Sequence, residues 1–123
     1  MSKKARVAWL KAPEKQDYLA ALSYLSLIYE TSVAEKLVAK LKRAPITDFK
    51  AKDIFRASGL RLLGVSNFHV DKDCRKIIAG HSLSPLLLVR DQNHGRVVIA
   101  DGYHRMCSVY AFNEDAVIPC RIV

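Results

Sequence analysis

Apolar positions recur at helical spacing through the first half of the chain and gather into short unbroken runs in the second. Between Glu14 and Tyr29, the residues Tyr18, Leu22, Leu25 and Tyr29 mark one face of a helix, and Leu19 and Ile28 widen it. So much of the circumference is apolar that this helix is expected to be largely buried. Thr31-Ser32 breaks the pattern and starts another. Ser32 and Glu35 have capping-box spacing, and the second helix runs to Arg43, with Pro45 as its stop. Val33, Leu37, Val38 and Leu41 are its inward positions; Lys36, Lys40 and Arg43 line an outer face. Two such helices on a tight turn form an antiparallel hairpin. Thr47 or Asp48 is placed to cap a third, short helix from Phe49 to Ser58, anchored by Ile54 and Phe55 and closed by Gly59.

Strand signals follow. Leu60 to Val65 reads as a short strand or an extended connector, and a helical turn spans Asp71 to Ala79 before Gly80. Pro85 opens a buried strand, Leu86 to Arg90, and Asp91-Gln92-Asn93-His94-Gly95 has hairpin-loop composition. Arg96 to Ala100 returns antiparallel. An amphipathic helix from Arg105 ends near Asn113, and Ile118 to Val123 is the last strand. The pattern predicts an α+β fold: a small mixed β-sheet with the N-terminal helical hairpin packed on it. Residues 1–13, ending in Ala12-Pro13, are expected to form a loosely held arm.

At 123 residues the chain is one domain by size. It divides into a basic helical part, 1–62, and a sheet-bearing part, 63–123. The net charge of +8 is uneven: residues 1–62 carry 13 Lys/Arg against 6 Asp/Glu, and residues 63–123 carry 7 against 6. The longest apolar run, Tyr18 to Ile28, is too short to span a bilayer, and Met1-Ser2-Lys3-Lys4 lacks the apolar core of a secretion signal. A cytoplasmic protein with no membrane partner is expected. Cys74, Cys107 and Cys120 are an odd number at wide spacing, which argues against a disulfide framework or a zinc site and for small apolar core residues.

Chemistry concentrates at Asp101-Gly102-Tyr103-His104-Arg105. A strand runs straight into Asp-Gly and a helix follows at once. Glycine lets the backbone reverse tightly. The first helical N–H groups then point outward with the positive end of the helix dipole behind them, and His104 and Arg105 add side-chain donors. That combination suits a phosphate. Ordinary turn chemistry accounts for the same residues with Asp101 as N-cap.

Asp-Gly-Tyr-His-Arg resembles the signature of the ParB/sulfiredoxin superfamily, whose members carry Gly-x-His-Arg or Gly-Glu-Arg-Arg at this turn. Leu83 to Val89 looks like the strand before the motif in that family, and Val117 to Val123 like its closing strand. The match covers Leu83 to Val123, with a weaker extension back to Val65. The resemblance implies a sheet of the ParB/sulfiredoxin type and a nucleotide or phosphorylated small molecule at Asp101, Gly102, Tyr103, His104 and Arg105. A nucleoside triphosphate with Mg²⁺ is the cofactor it admits, with hydrolysis or phosphoryl transfer left open.

Departures narrow the choice. Sulfiredoxin has a cysteine before the His-Arg pair where this chain has Tyr103, and a phenol cannot supply thiolate chemistry. Partition ParB proteins bind cytidine triphosphate through Gly-Glu-Arg-Arg and carry a downstream helix-turn-helix, which is not seen before Val123. The free serine kinase branch, Asp-Gly-His-His-Arg, is the nearest motif. It needs a carboxylate base; Glu30, Glu35, Asp71 and Asp73 are available, and spacing selects none of them. Asp101 either caps the helix or holds Mg²⁺.

Two readings from other classes stand beside this one. Lys36, Lys40, Arg43, Lys50 and Lys52 are candidate contacts for weak, non-specific nucleic-acid binding, as in a non-enzymatic accessory protein associated with DNA, partition-like or nuclease-like. A protein-interaction domain without ligand, including a homodimer, is the other. His69, His81 and His94 read as polar loop or partly buried residues, because no second ligand sits at metal spacing.

Overall fold

The computed structural model describes residues 6–123. In chain order the elements are β1 (Ala8–Trp9), α1 (Lys15–Ile28), α2 (Thr31–Arg43), β2 (Ile46–Lys50), α3 (Ala51–Ser58) and α4 (Phe68–Ile78). They continue with β3 (Ser82–Leu83), β4 (Leu86–Asp91), β5 (Arg96–Asp101), α5 (Tyr103–Phe112) and β6 (Val117–Ile122). The main sheet is mixed, with order β2-β6-β4-β5; β4 runs parallel to β6, and the other neighbours are antiparallel. The fold class is α+β, as the pattern predicted.

Helices cover both faces of this sheet, which explains why β4 and β5 read as continuous apolar runs. Along β4, Leu87 and Val89 face the α1–α2 hairpin, while Leu86 and Leu88 face α3, α4 and α5. Along β5, Val98 and Ala100 take the first side, Val97 and Ile99 the second. The second side holds the larger core, with Met106, Cys107, Val109, Ile118 and Cys120 fully buried. All three cysteines are free and buried. Among the described residues no helix is long and apolar enough to cross a membrane.

Five local readings are corrected. Residues 46–50 form strand β2 rather than the approach to a helix: Ile46, Thr47, Asp48, Phe49 and Lys50 pair with Arg121 to Val117 of β6. Neither Thr47 nor Asp48 caps α3. Its first N–H groups are taken by the loop before β6, Ala51 N donating to Ala116 O and Lys52 N to Glu114 O, each at 2.9 Å. In the arm, Ala8 and Trp9 pair in parallel with Ser82 and Leu83; residues 1–5 lie outside the described part. Helix α2 starts two residues earlier than the Ser32 cap implies, with Glu30 as N-cap, so the Ser32–Glu35 capping box is not formed and Val33 is exposed. Helix α4 starts at Phe68, three residues earlier, because the Asn67 side chain accepts from His69 N and Val70 N.

The fifth correction concerns α1. It is an outer layer on one sheet face, so one stripe is buried: Asp17, Ala21 and Leu25, at i, i+4 and i+8. Leu19 and Leu27 face outward, Leu27 at 86% exposure. The buried residue at the N-terminal end of the stripe is an aspartate, and its reason lies at the motif turn.

Candidate functional site

The turn after β5 is built on Gly102, whose φ of +106° lies in the left-handed region. A Cβ there would meet Leu86 Cγ at 2.7 Å and Arg105 Nη2 at 2.9 Å. Glycine is therefore required by the packing of the turn against β4 and the guanidinium. Met106 N donates to Gly102 O at 2.9 Å, the first turn of α5. The N–H groups of Tyr103, His104 and Arg105 precede that bond, and no side chain caps them. Helix α4 beside it is capped by Asn67.

Asp101 is the last residue of β5, not the N-cap, which is Gly102. Its carboxylate accepts from Arg105 Nη2 at 2.8 Å. Arg105 Nη1 stands 4.0 Å from Asp17 Oδ1 of α1, and Nη2 is 3.5 Å from Pro85 O. The guanidinium thus joins the two helical layers past the end of β5. Asp17 also accepts from Glu14 N at 2.7 Å, which fixes the start of α1. Arg105 is 17% exposed and its Nε is buried without a partner. Burial pushes the Asp101 carboxyl above its ordinary value, against the pull of Arg105 and with a further push from Asp17.

Helix α4 packs beside α5. Ser108, fully buried, donates to Val70 O, and its hydroxyl is likewise 2.9 Å from His104 O. This lock brings His69 over His104, ring centres 4.8 Å apart. Tyr103 donates its hydroxyl to Arg61 O and so pins the 60–65 connector, which forms no strand. A small depression of about 190 Å³ results, lined by His69, Lys72 and Asp73 of α4 and by Asp101 to Arg105. Burial, and next the charge of His69, hold the His104 imidazole below its ordinary value, while Asp73 pulls it up.

Of the five motif residues, then, Gly102, Tyr103 and His104 form the lip of the depression, while Asp101 and Arg105 pair in its wall. His69 and Lys72 join them. The sequence offers no second ligand at metal spacing from His69, which therefore reads as a polar loop or partly buried residue; recognising Asn67 as a cap would have put His69 in a first helical turn, as His104 is. Of the four candidate bases, Asp73 lines the depression. Asp71 is paired with Arg75 at 2.9 Å, and Glu30 and Glu35 belong to the start of α2. Among the described residues no group of three His, Cys, Asp or Glu is arranged to hold a metal.

The basic residues do not form one surface. Lys36, Lys40 and Arg43 are exposed on α2, on one side of the sheet, and Lys50 is exposed at the end of the edge strand β2. Lys52 lies in the first turn of α3 on the opposite side and is 2.7 Å from Asp115.

Comparison with known proteins returned no match to a family model, a curated protein or a solved structure.

Proposed function

We propose that the α5 turn seats the phosphate of a nucleotide or a phosphorylated small molecule, in a cytoplasmic protein of the ParB/sulfiredoxin type. One observation carries the reading: the uncapped N-terminus of α5 opens on a depression that also gathers His104, His69 and Lys72. The N–H groups of Tyr103 and His104 donate to the phosphate oxygens, the helix dipole favours the negative charge, and Lys72 adds a full positive charge. About 190 Å³ accommodates a phosphoryl group but falls below the usual 300 Å³ lower bound for an enclosed drug-sized ligand. The rest of the ligand therefore lies outside the depression. Arg105 acts as a positioning residue, since its donors are given to Asp101 and Asp17. Mg²⁺ accompanies a triphosphate in this reading, with Asp73 as the depression's carboxylate not paired to Arg105. Asp73 is also the residue to act as base if phosphate is transferred.

The test is calorimetry with nucleoside triphosphates and pyrophosphate, with and without Mg²⁺. A ligand should bind and raise the melting temperature by mass action. His104→Ala and Lys72→Ala should each weaken it by about tenfold, the size of a charge-assisted hydrogen bond. No binding of any of these anions would overturn the reading.

Exposed Lys36, Lys40 and Arg43 support a second reading, weak salt-dependent association with nucleic acid. In it Lys52 contributes little, being paired with Asp115. Replacing the three α2 residues by glutamate should abolish retention on DNA, and Lys52→Ala should leave it unchanged.

A further inference from the structure

The sheet face under α3 is not covered to its end. Helix α3 has 8 residues, and beyond it a groove of about 390 Å³ lies between α3 and the β4–β5 hairpin. Its floor takes one side chain from each strand of the main sheet: Phe49, Leu88, Val97 and Ile122. Ile54 and Ala57 of α3 form the wall. Such a volume with an apolar lining is within the range of small-molecule sites.

The rim carries the polar groups. Arg90 follows Leu86 and Leu88 at two-residue steps on β4, so its side chain projects on the groove side of the sheet. Its backbone is fixed, Arg90 N donating to Val123 O at 2.8 Å. Its guanidinium is exposed and takes part in none of the ion pairs or side-chain hydrogen bonds among the described residues. The other rim arginine, Arg96, is already bonded to Asp91 at 3.1 Å. Asp53, also on the rim, lies 4.0 Å from Arg56. The mouth therefore presents one uncommitted cation beside an apolar floor, with the Asp53 carboxylate on the same rim to oppose a second negative charge.

We propose that this groove binds a small amphipathic monocarboxylic acid. The hydrocarbon or aromatic body lies on Phe49, Leu88, Val97 and Ile54, and the carboxylate takes the planar fork of Arg90. A phosphate monoester, carrying close to two charges, is disfavoured by Asp53 on the rim. The site is separate from the α5 turn and does not depend on it. Val97 and Asp101 stand near opposite ends of β5, four residues or about 13 Å apart.

Octanoate is the probe, with octanol and octyl phosphate as controls of equal chain length. Calorimetry on the wild-type protein should show octanoate binding about tenfold more tightly than octanol, as one charge-assisted hydrogen bond provides. Methyl resonances of Leu88, Val97 and Ile122 should shift on titration, while those of Leu87 and Val89, on the opposite face, stay in place. Arg90→Gln should reduce octanoate to the affinity of octanol. Ala57→Trp, at an exposed position, should fill the groove and weaken both. No octanoate binding, shifts at Leu87 and Val89 instead, or an Arg90→Gln variant with unchanged affinity would overturn the assignment. Tighter binding of octyl phosphate than of octanoate would overturn its carboxylate class.

Discussion

Arg105 Nη2 lies 2.8 Å from Asp101 Oδ2, across the one glycine that lets strand β5 turn into helix α5. The same guanidinium reaches toward Asp17 on the far layer. A residue that the motif offers as a ligand donor is thus, in the folded protein, a tie between layers. That changes what its removal should do.

Arg105→Ala leaves Asp101 and Asp17 facing each other in a space that burial already makes costly for a carboxylate. Breaking a buried pair from one side costs about 3 kcal/mol or more. Urea unfolding at neutral pH should register that loss, with Arg105→Lys intermediate. A variant as stable as the wild type would show that the pair does not hold the turn.

Gly102→Ala should be destabilising without any ligand present. The left-handed φ of +106° and the 2.7 Å approach to Leu86 Cγ both act against a side chain. Strain of this kind is worth roughly 1–3 kcal/mol, and thermal unfolding of the ligand-free variant measures it. An unchanged melting temperature would move the need for glycine from the turn to the ligand.

Acid should weaken the fold through His104. Its folded-state proton affinity is lowered, first by burial and next by His69, so the unfolded chain takes the proton more readily. This contribution to stability is therefore intact above the ordinary imidazole value of 6.5 and is lost as pH falls below it through the folded value. Between about pH 7.5 and about pH 5.5 the wild type should lose more stability than His104→Gln. A phosphate in the depression favours the protonated ring, so its affinity should rise over the same descent. Parallel pH profiles for the two proteins would remove His104 as the titrating group.

The cysteines should be inert until the chain unfolds. Cys107 and Cys120 are fully buried, and burial pushes the Cys120 thiol up to about 12. A thiol reagent should modify Cys120 at the rate of global opening and fast in urea. Rapid labelling of Cys120 in the native protein would contradict the core placement.

Much of the fold was legible because its signals are local. The spacing of Leu22 and Leu25, the apolar runs of β4 and β5, and Gly102 at a strand-to-helix junction each follow from chain geometry within a few residues. Strand β2 was not legible: Thr47 and Asp48 are good caps, and only pairing with β6 makes them strand residues. The extent of α1's buried face was overestimated for a related reason. Periodicity reports how apolar a helix is, whereas the number of layers around it decides how much of it is covered.

At the site the division is similar. The sequence by itself determined that a strand turns into a helix at Asp101-Gly102, with His104 and Arg105 at the helix start. Tertiary structure alone decided that Arg105 turns inward to Asp101 and Asp17 while His69 and Lys72 arrive from α4. A guanidinium goes to whichever carboxylates the packing leaves beside it, and Asp17 lies 88 positions earlier in the chain. No local pattern encodes a meeting that depends on two helical layers closing over the end of one strand.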